Sequence, residues 1–111
     1  MKEFMMIFRN QEQVERPSPY QMQAQVKVWQ DRIGGIAAQG KFVGTNALGM
    51  EGKVVRANDM VTDGPYMEVK EMVGGYIIVK ADTIEEAIEL SKRCPTIGYG
   101  GSVEVRDIMV F

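Results

Sequence analysis

Apolar residues fill the first segment of the chain on both of its alternating sides. Residues 3–9 read EFMMIFR, with Phe4, Met6 and Phe8 on one side of an extended chain and Met5 and Ile7 on the other. Successive side chains of a strand point to opposite faces of a sheet, so this pattern predicts a central strand covered on both faces. The polar residues 10–17 that follow predict a loop.

The next apolar residues recur at helical spacing. Ser18 is suited to cap the N-terminus of a helix, Pro19 to its first position, and Gln21 completes a capping box. Gly40 is expected to end this helix. Spacings of four, three, four and three residues predict one stripe facing a core, made of Met22, Val26, Trp29, Ile33 and Ile36.

The second half of the chain repeats the alternation of strands and a helix. Residues 41–64 contain short apolar runs separated by Gly and Asn, which predict short strands and turns. Residues 73–81, VGGYIIVKA, predict a strand, and residues 102–111 a last one. Between them, residues 82–95 predict a helix capped by Asp82 or Thr83 and ended by Pro95.

This order predicts an α+β domain with a ferredoxin-like βαββαβ arrangement and an extra hairpin, spanning residues 1–111. Both helices would lie on one face of an antiparallel sheet. The other face would leave a large apolar patch in water, so we expect a homodimer with the two sheets packed face to face. Such an interface should bury more than about 1,000 Å².

Composition excludes several classes of function. The net charge is −2 and no three adjacent residues are all Lys or Arg, which argues against direct binding of nucleic acid. The chain has one cysteine and no histidine, so we expect no metal site, no cofactor and no histidine acid/base. No segment is apolar enough to span a membrane or to act as a signal peptide, and we expect a cytoplasmic protein.

The turn after the predicted hairpin allows two interpretations. Asp63, Gly64 and Pro65 can form a tight corner, with the Asp63 carboxylate bonded to the following backbone and Tyr66 packed at the rim. In the functional interpretation a polar cluster lines the mouth of a pocket. A lysine between carboxylates stays charged and suits a polar or anionic small molecule. The cluster is Asp63, Tyr66, Glu68, Lys70 and Glu71.

The last strand offers a second polar cluster. Glu104 and Arg106 alternate with Val103 and Val105, which places both charges on one face of the sheet. Together with Arg56 they could form a ligand cradle inside a dimer, or a structural ion pair. Cys94 ends a predicted helix, where the helix dipole disfavours a thiolate.

Several motifs together resemble one known family. They are VTDGPYMEVKEMVGGYIIVKADTIEEAIELSKRCP, GGSVEVRD, WQDRIGGIAAQGK and GKVVRAN. The chain resembles the YCII-related proteins, in particular the subgroup with a DGPF turn. That resemblance implies a ferredoxin-like fold and a dimeric α/β barrel. Some members carry a His–Asp dyad, but this chain has no histidine and has Cys94–Pro95 where those relatives have Asp-Pro.

Two functions follow from this combination. The first is a dimeric protein that binds a small molecule, with any acid/base chemistry left to Asp, Glu and Tyr side chains. The alternative is a non-catalytic accessory module, since members of the subgroup are sometimes described as transcription initiation proteins linked to sigma factors. No residue here supports direct contact with a promoter.

Overall fold

A computed structural model describes residues 1–11, 18–66 and 71–111 of the chain. Strands and helices alternate along it in the predicted order, with three helices and six strands among these residues. The elements are β1 (Lys2–Gln11), α1 (Pro19–Ala38), β2 (Phe42–Ala47), β3 (Lys53–Arg56), β4 (Met60–Asp63), β5 (Glu71–Ala81), α2 (Ile84–Ser91), α3 (Pro95–Gly98) and β6 (Ser102–Asp107).

Four strands form an antiparallel sheet in the order β2-β5-β1-β6. The two strands with the longest apolar runs, β1 and β5, occupy its centre, where a strand is covered on both faces. Their register pairs Met6 with Ile77, and β6 places Val105 on the other side of Met6. With the helices on one face, this arrangement confirms the predicted ferredoxin-like α+β fold.

The core lies between the sheet and the helices. Every second residue of β1, from Phe4 to Phe8, is buried there, and β5 contributes residues such as Ile77 and Val79. Ile36, Ala87, Leu90 and Cys94 cover them from the helical layer. Each large side chain that is fully buried contributes about 1.5–3 kcal/mol to folding, so this layer holds the helices on the sheet.

Helix α1 begins and ends where the sequence indicates. Ser18 Oγ accepts a hydrogen bond from the Gln21 backbone N–H at 3.2 Å, and Gln21 Oε1 accepts one from the Ser18 N–H at 2.9 Å. Beyond the C-cap residue Gln39, Gly40 adopts a φ of 71°, which a glycine takes without strain. The capping box and the glycine stop are therefore confirmed.

The apolar stripe of α1 faces the core only over its second half. Ile36 is buried, and Trp29 and Ile33 pack against the core at its edge. Met22 and Val26 are each 53% exposed, so the prediction of a continuous core stripe is wrong for the first two turns. Val26 does not reach the core, because it lines a cleft that lies between this part of α1 and the sheet.

The second predicted helix is divided in two. Thr83 caps α2, its Oγ1 accepting from the Glu86 N–H at 3.3 Å, and the helix ends at Ser91. Pro95 was expected to end one long helix, but it begins the short helix α3 after the extended residue Cys94. Proline favours the first position of a helix because it has no N–H to leave unbonded and disfavours a helical residue before it.

Strands β3 and β4 form a hairpin that is a separate two-stranded sheet. At its base the Gly64 N–H donates to the Gly52 carbonyl at 3.0 Å, before a cis peptide bond to Pro65. A Cβ atom on Gly64 would lie 2.9 Å from the Gly52 carbonyl carbon, so this corner requires glycine. The corner supports the structural interpretation of the DGP turn.

The sheet face opposite the helices, here called the helix-free face, mixes apolar and charged residues. Met5, Ile7 and Ile78 lie half-buried at its centre. Arg9, Glu104 and Arg106 lie along one side of it. No helix within residues 1–11, 18–66 and 71–111 is long and apolar enough to cross a membrane.

Candidate functional site

The two charged residues predicted on the last strand do share the helix-free face, and a third residue joins them. Arg9 donates to Glu104 Oε1 through Nη2 at 2.9 Å and through Nε at 3.3 Å. Arg106 Nε lies 3.9 Å from Glu104 Oε2. Sequence reasoning missed Arg9, although it is adjacent to the apolar run of β1 and pairs in register with Ser102. This is an ion-pair network on a half-exposed surface.

Three predicted residues on and next to the hairpin, Arg56, Asp63 and Tyr66, are exposed. Arg56 lies near the hairpin tip opposite Met60, and it belongs to a different sheet from Glu104. Asp63 is bound to Lys53, with 2.6 Å between carboxylate oxygen and Nζ, in place of the expected bond to its own turn. Tyr66 is 60% exposed.

The remaining predicted residues lie at or beyond the start of β5. Glu71 is the first residue of β5 and pairs with Gln11 in register. Glu68 and Lys70 lie outside the described residues. The described members of the turn cluster therefore lie on the hairpin and the start of β5, while Glu104 and Arg106 lie on β6.

A cleft of about 620 Å³ opens elsewhere, on the helical side of the sheet. The middle of α1 forms one wall, and the end of β1 and the first half of β5 form the floor. Strand β2 and the segment from α3 to β6 close two further sides. None of the predicted residues that the structure describes lines it; these are Arg56, Asp63, Tyr66, Glu71, Glu104 and Arg106. Its residues are Phe8, Asn10, Gln25, Val26, Trp29, Gln30, Ile33, Thr45, Asn46, Ala47, Gly74, Gly75, Tyr76, Thr96, Tyr99 and Gly101.

The helical wall follows from the periodicity of α1. Val26, Trp29 and Ile33 lie on one face because residues three and four apart are neighbours on a helix. Gln25 and Gln30 flank this stripe and present carboxamides to the same cleft. The Trp29 ring meets the Phe8 ring edge to face, with centroids 4.9 Å apart and planes at 70°. This aromatic pair fixes the deep end of the wall.

The floor depends on two adjacent glycines. The pairing of β1 with β5 shifts between Phe8 and Arg9, which leaves Gly74 in a β-bulge. A Cβ on Gly74 would collide with Nδ2 of Asn10, and a Cβ on Gly75 would lie 2.8 Å from the Asn46 carbonyl oxygen. The glycines therefore let the Asn10 side chain and the β2 backbone approach the floor closely.

Strand β2 is held beside this floor by side-chain bonds. Thr45 Oγ1 donates to the Tyr76 carbonyl at 2.8 Å, and Asn46 Nδ2 donates to the Tyr76 hydroxyl at 2.8 Å. On the opposite side Thr96 is buried and Tyr99 is exposed. Residues 98–101, GYGG, contribute Tyr99 and Gly101 to the lining.

The polar groups of the cleft are carboxamides and hydroxyls. Among its described lining residues there is no carboxylate, lysine or arginine. No group of three or more His, Cys, Asp or Glu residues in the described part of the chain is placed to hold a metal ion. Such a lining can donate and accept neutral hydrogen bonds and can cover the faces of a small molecule with apolar side chains.

Cys94 lies outside this site. It is 3% exposed, and burial raises the pKa of its thiol despite the nearby Arg32 guanidinium, which lowers it. Arg32 Nη2 itself donates to the Leu90 carbonyl at 2.6 Å, at the end of α2. The thiol therefore stays protonated and packed, as a structural residue does.

Sequence reasoning missed the carboxamides of the cleft. Asn10 was assigned to a loop, whereas it belongs to β1. Gln25 and Gln30 resemble any polar residues beside an apolar stripe. Two features of the sequence could have indicated them: the two glycines at the start of a predicted strand, and the polar residues beside the apolar stripe of α1. Glycines within a strand often mark a place where a ligand or another part of the chain approaches the backbone closely.

Comparison with known proteins agrees with the fold. A model of the YCII-related domain matches residues 3–111. One solved structure of similar fold is 5-chloro-2-hydroxyhydroquinone dehydrochlorinase from Burkholderia phenoliruptrix, in complex with 2,5-dihydroxybenzoquinone. It is 14% identical, the match covers 97% of this chain and 95% of that one, and the TM-score is 0.50. No curated protein matches the chain. Because the domain model spans nearly the whole sequence, the protein belongs to the YCII-related domain family.

Proposed function

We propose that this protein is a homodimer that binds a small organic molecule in the cleft between α1 and the sheet. The observation that carries the proposal is the cleft itself. Its volume of about 620 Å³ lies within the range of ligand sites, roughly 300–1,000 Å³. An apolar wall with a few convergent polar groups is the usual composition of such sites.

The structural neighbour suggests which compounds to test first. That enzyme acts on a chlorinated hydroxyhydroquinone and is in complex with a dihydroxybenzoquinone. At 14% identity its chemistry does not transfer, but a six-membered ring with oxygen substituents is small enough for a cleft of this volume. Small ring compounds should therefore be tested for binding before larger metabolites.

The proposal moves the ligand away from the turn at Asp63. A polar or anionic ligand there was predicted from the charges of the turn cluster and of the last strand, and the described members of both groups lie outside the lining of the cleft. Catalysis by carboxylates is not included, because the described lining of the cleft offers amides and hydroxyls in their place. Binding is the function that this chemistry supports.

The dimer is supported by the helix-free face. Met5, Ile7 and Ile78 form an apolar centre that no element of the same chain covers within the described residues. Packing this face on its counterpart would remove it from water and bring the Arg9–Glu104 pair to the interface. Light scattering at micromolar concentration should give twice 12.4 kDa, and a mass of one chain would refute the dimer.

Trp29 provides a direct test of ligand binding. It is the single tryptophan of the chain and lines the cleft, so its fluorescence reports on occupancy. A set of small ring compounds and other metabolites should include one that changes this emission saturably and raises the melting temperature. The accessory-module alternative predicts that no compound does so.

A blocking variant locates the binding. Ala47→Phe adds a ring from β2 into the cleft and should abolish the fluorescence response. Ala38→Phe adds the same ring at the exposed end of α1, outside the cleft, and should leave the response unchanged. Saturable binding that survives Ala47→Phe would place the ligand elsewhere and overturn the proposal.

A further inference from the structure

We infer that the ligand is a planar ring bearing a hydrogen-bond donor next to an acceptor, and that the Asn10 carboxamide recognises this edge. The inference rests on the proposed function, because it concerns the same cleft. It names a chemical class, such as a lactam, a cyclic imide or a ring with a hydroxyl beside a carbonyl, and the residue that selects it.

The position of Asn10 carries the first step. It follows Phe8 by two residues on β1, so both side chains project to the helical side of the sheet. Its Nδ2 occupies the space that a side chain at Gly74 would fill. The carboxamide therefore belongs to a central strand and lies over a β-bulge. A strand fixes the position of a binding group more precisely than a loop does.

The chemistry of the carboxamide gives the second step. Its oxygen accepts and its NH₂ group donates, side by side and in one plane. A ligand edge that carries a donor adjacent to an acceptor can make both bonds at once. A ligand that has only one of these groups leaves half of the carboxamide unpaired inside the cleft, which weakens its binding.

The shape of the cleft gives the third step. The edge-to-face pair of Trp29 and Phe8 forms a wall beside Asn10, against which the face of a flat ring can pack. Gln25 and Gln30 lie across from the floor on α1 and can bond substituents on the far side of the ring. A flat molecule with a polar edge satisfies both surfaces.

A matched pair of probes tests the edge. 2-Pyridone carries an N–H beside a C=O, and N-methyl-2-pyridone differs by losing that donor. Each is titrated into ¹⁵N-labelled protein while the Trp29 indole N–H and the Asn10 side-chain NH₂ signals are followed. We expect 2-pyridone to shift both signals and to bind about tenfold more tightly than its N-methyl analogue, as the loss of a paired hydrogen bond implies.

Two variants then test Asn10. Asn10→Ala should reduce the discrimination between the probes to less than about threefold, since the donor–acceptor pair is gone. Gly74→Ala should do the same from the other strand, because its Cβ takes the place of the amide. The double variant Asn10→Ala/Gly74→Ala should discriminate between the probes no less than either single variant does. Melting temperatures of all three variants confirm that they are folded.

The outcomes separate the two proposals. Equal affinities for the two probes in the unmodified protein, no binding of 2-pyridone, or full discrimination in Asn10→Ala would each overturn the inference. The proposed function fails separately, when no compound gives a Trp29 response that Ala47→Phe removes. If other compounds occupy the cleft but the probes are not distinguished, the cleft remains a binding site and Asn10 does not select its ligand.

Discussion

Adjacent glycines at the cleft floor should respond very differently to the same substitution. In Gly75→Ala the new Cβ would lie 2.8 Å from the Asn46 carbonyl oxygen, whereas ordinary contact begins at 3.4 Å. The backbone of β2 must therefore retreat by about 0.6 Å, which strains the Gly75–Ala47 pairing and the Leu48 N–H bond to the Gly74 carbonyl. In Gly74→Ala the Cβ meets only the end of the Asn10 side chain, which can turn away.

The magnitudes follow from these two neighbours. Overpacking against a backbone costs about 1–3 kcal/mol, while replacing glycine by alanine restricts the unfolded chain and returns about 0.4–1 kcal/mol. We expect Gly75→Ala to lower the free energy of unfolding by about 1–2 kcal/mol. Displacing a side chain from its rotamer costs about 0.5–1.5 kcal/mol, so Gly74→Ala should remain within about 1 kcal/mol of the parent protein.

Urea unfolding monitored by far-UV circular dichroism measures both variants. The protein concentration is held constant, because the stability of a dimer depends on it. The midpoint for Gly75→Ala should fall by roughly 1 M, given urea slopes of about 1–3 kcal/mol per M. Adding Asn10→Ala to Gly74→Ala should restore any free energy of unfolding that Gly74→Ala loses, because the side chain that its Cβ meets is then absent. If Gly74→Ala lowers the free energy of unfolding as much as Gly75→Ala does, the close approach of β2 does not explain which of the two glycines can be replaced.

Three further predictions address the interface, the cysteine and an ion pair. Ile78→Lys puts a charge at the centre of the helix-free face, so light scattering should show a folded 12.4 kDa monomer, and a persisting dimer would contradict the face-to-face packing. Burial raises the pKa of the Cys94 thiol, so a thiol-reactive dye at pH 8 should label the native protein slowly and label one thiol per chain in urea. Hydrogen bonds from Lys41 and from the Asp82 backbone lower the pKa of Glu86 below its ordinary value of 4.5. The stability that Glu86 contributes is therefore present above pH 4.5 and is lost as the pH falls through the lowered pKa. Glu86→Gln should melt below the parent at pH 7 and approach it as the pH falls below that pKa, whereas a difference that does not change with pH would exclude this pairing.

The local pattern of the chain determined the elements and their order. Runs that are apolar on both sides, in β1 and β5, placed these strands at the centre of the sheet. The capping box at Ser18 and the glycine at position 40 set both ends of α1, because each depends only on residues a few positions away. Together with the family motifs, these signals were sufficient for the fold.

The local sequence pattern was less reliable where packing between elements decided the outcome. Helical periodicity continued through the stripe from Met22 to Ile36, but periodicity does not reveal which part of a helix packs on the core and which part borders a cleft. Pro95 was compatible with both the end of one helix and the start of another. The surrounding packing selected the second, since Cys94 is buried in the core in an extended conformation.

Only the tertiary structure revealed the cleft in which we propose that a ligand binds. Among the predicted charged residues that the structure describes, Asp63 pairs with Lys53 on the hairpin and Glu104 pairs with Arg9 on the helix-free face. The cleft instead joins inconspicuous amides and glycines that are far apart along the chain, Asn10 with Gly74 and with Gln30. The spacing of apolar residues and the capping residues of a helix depend only on neighbours a few positions away, so they can be recognised in the sequence. A cleft depends on strand register, on a bulge and on the position of a helix over the sheet, and these arise only when distant segments pack together.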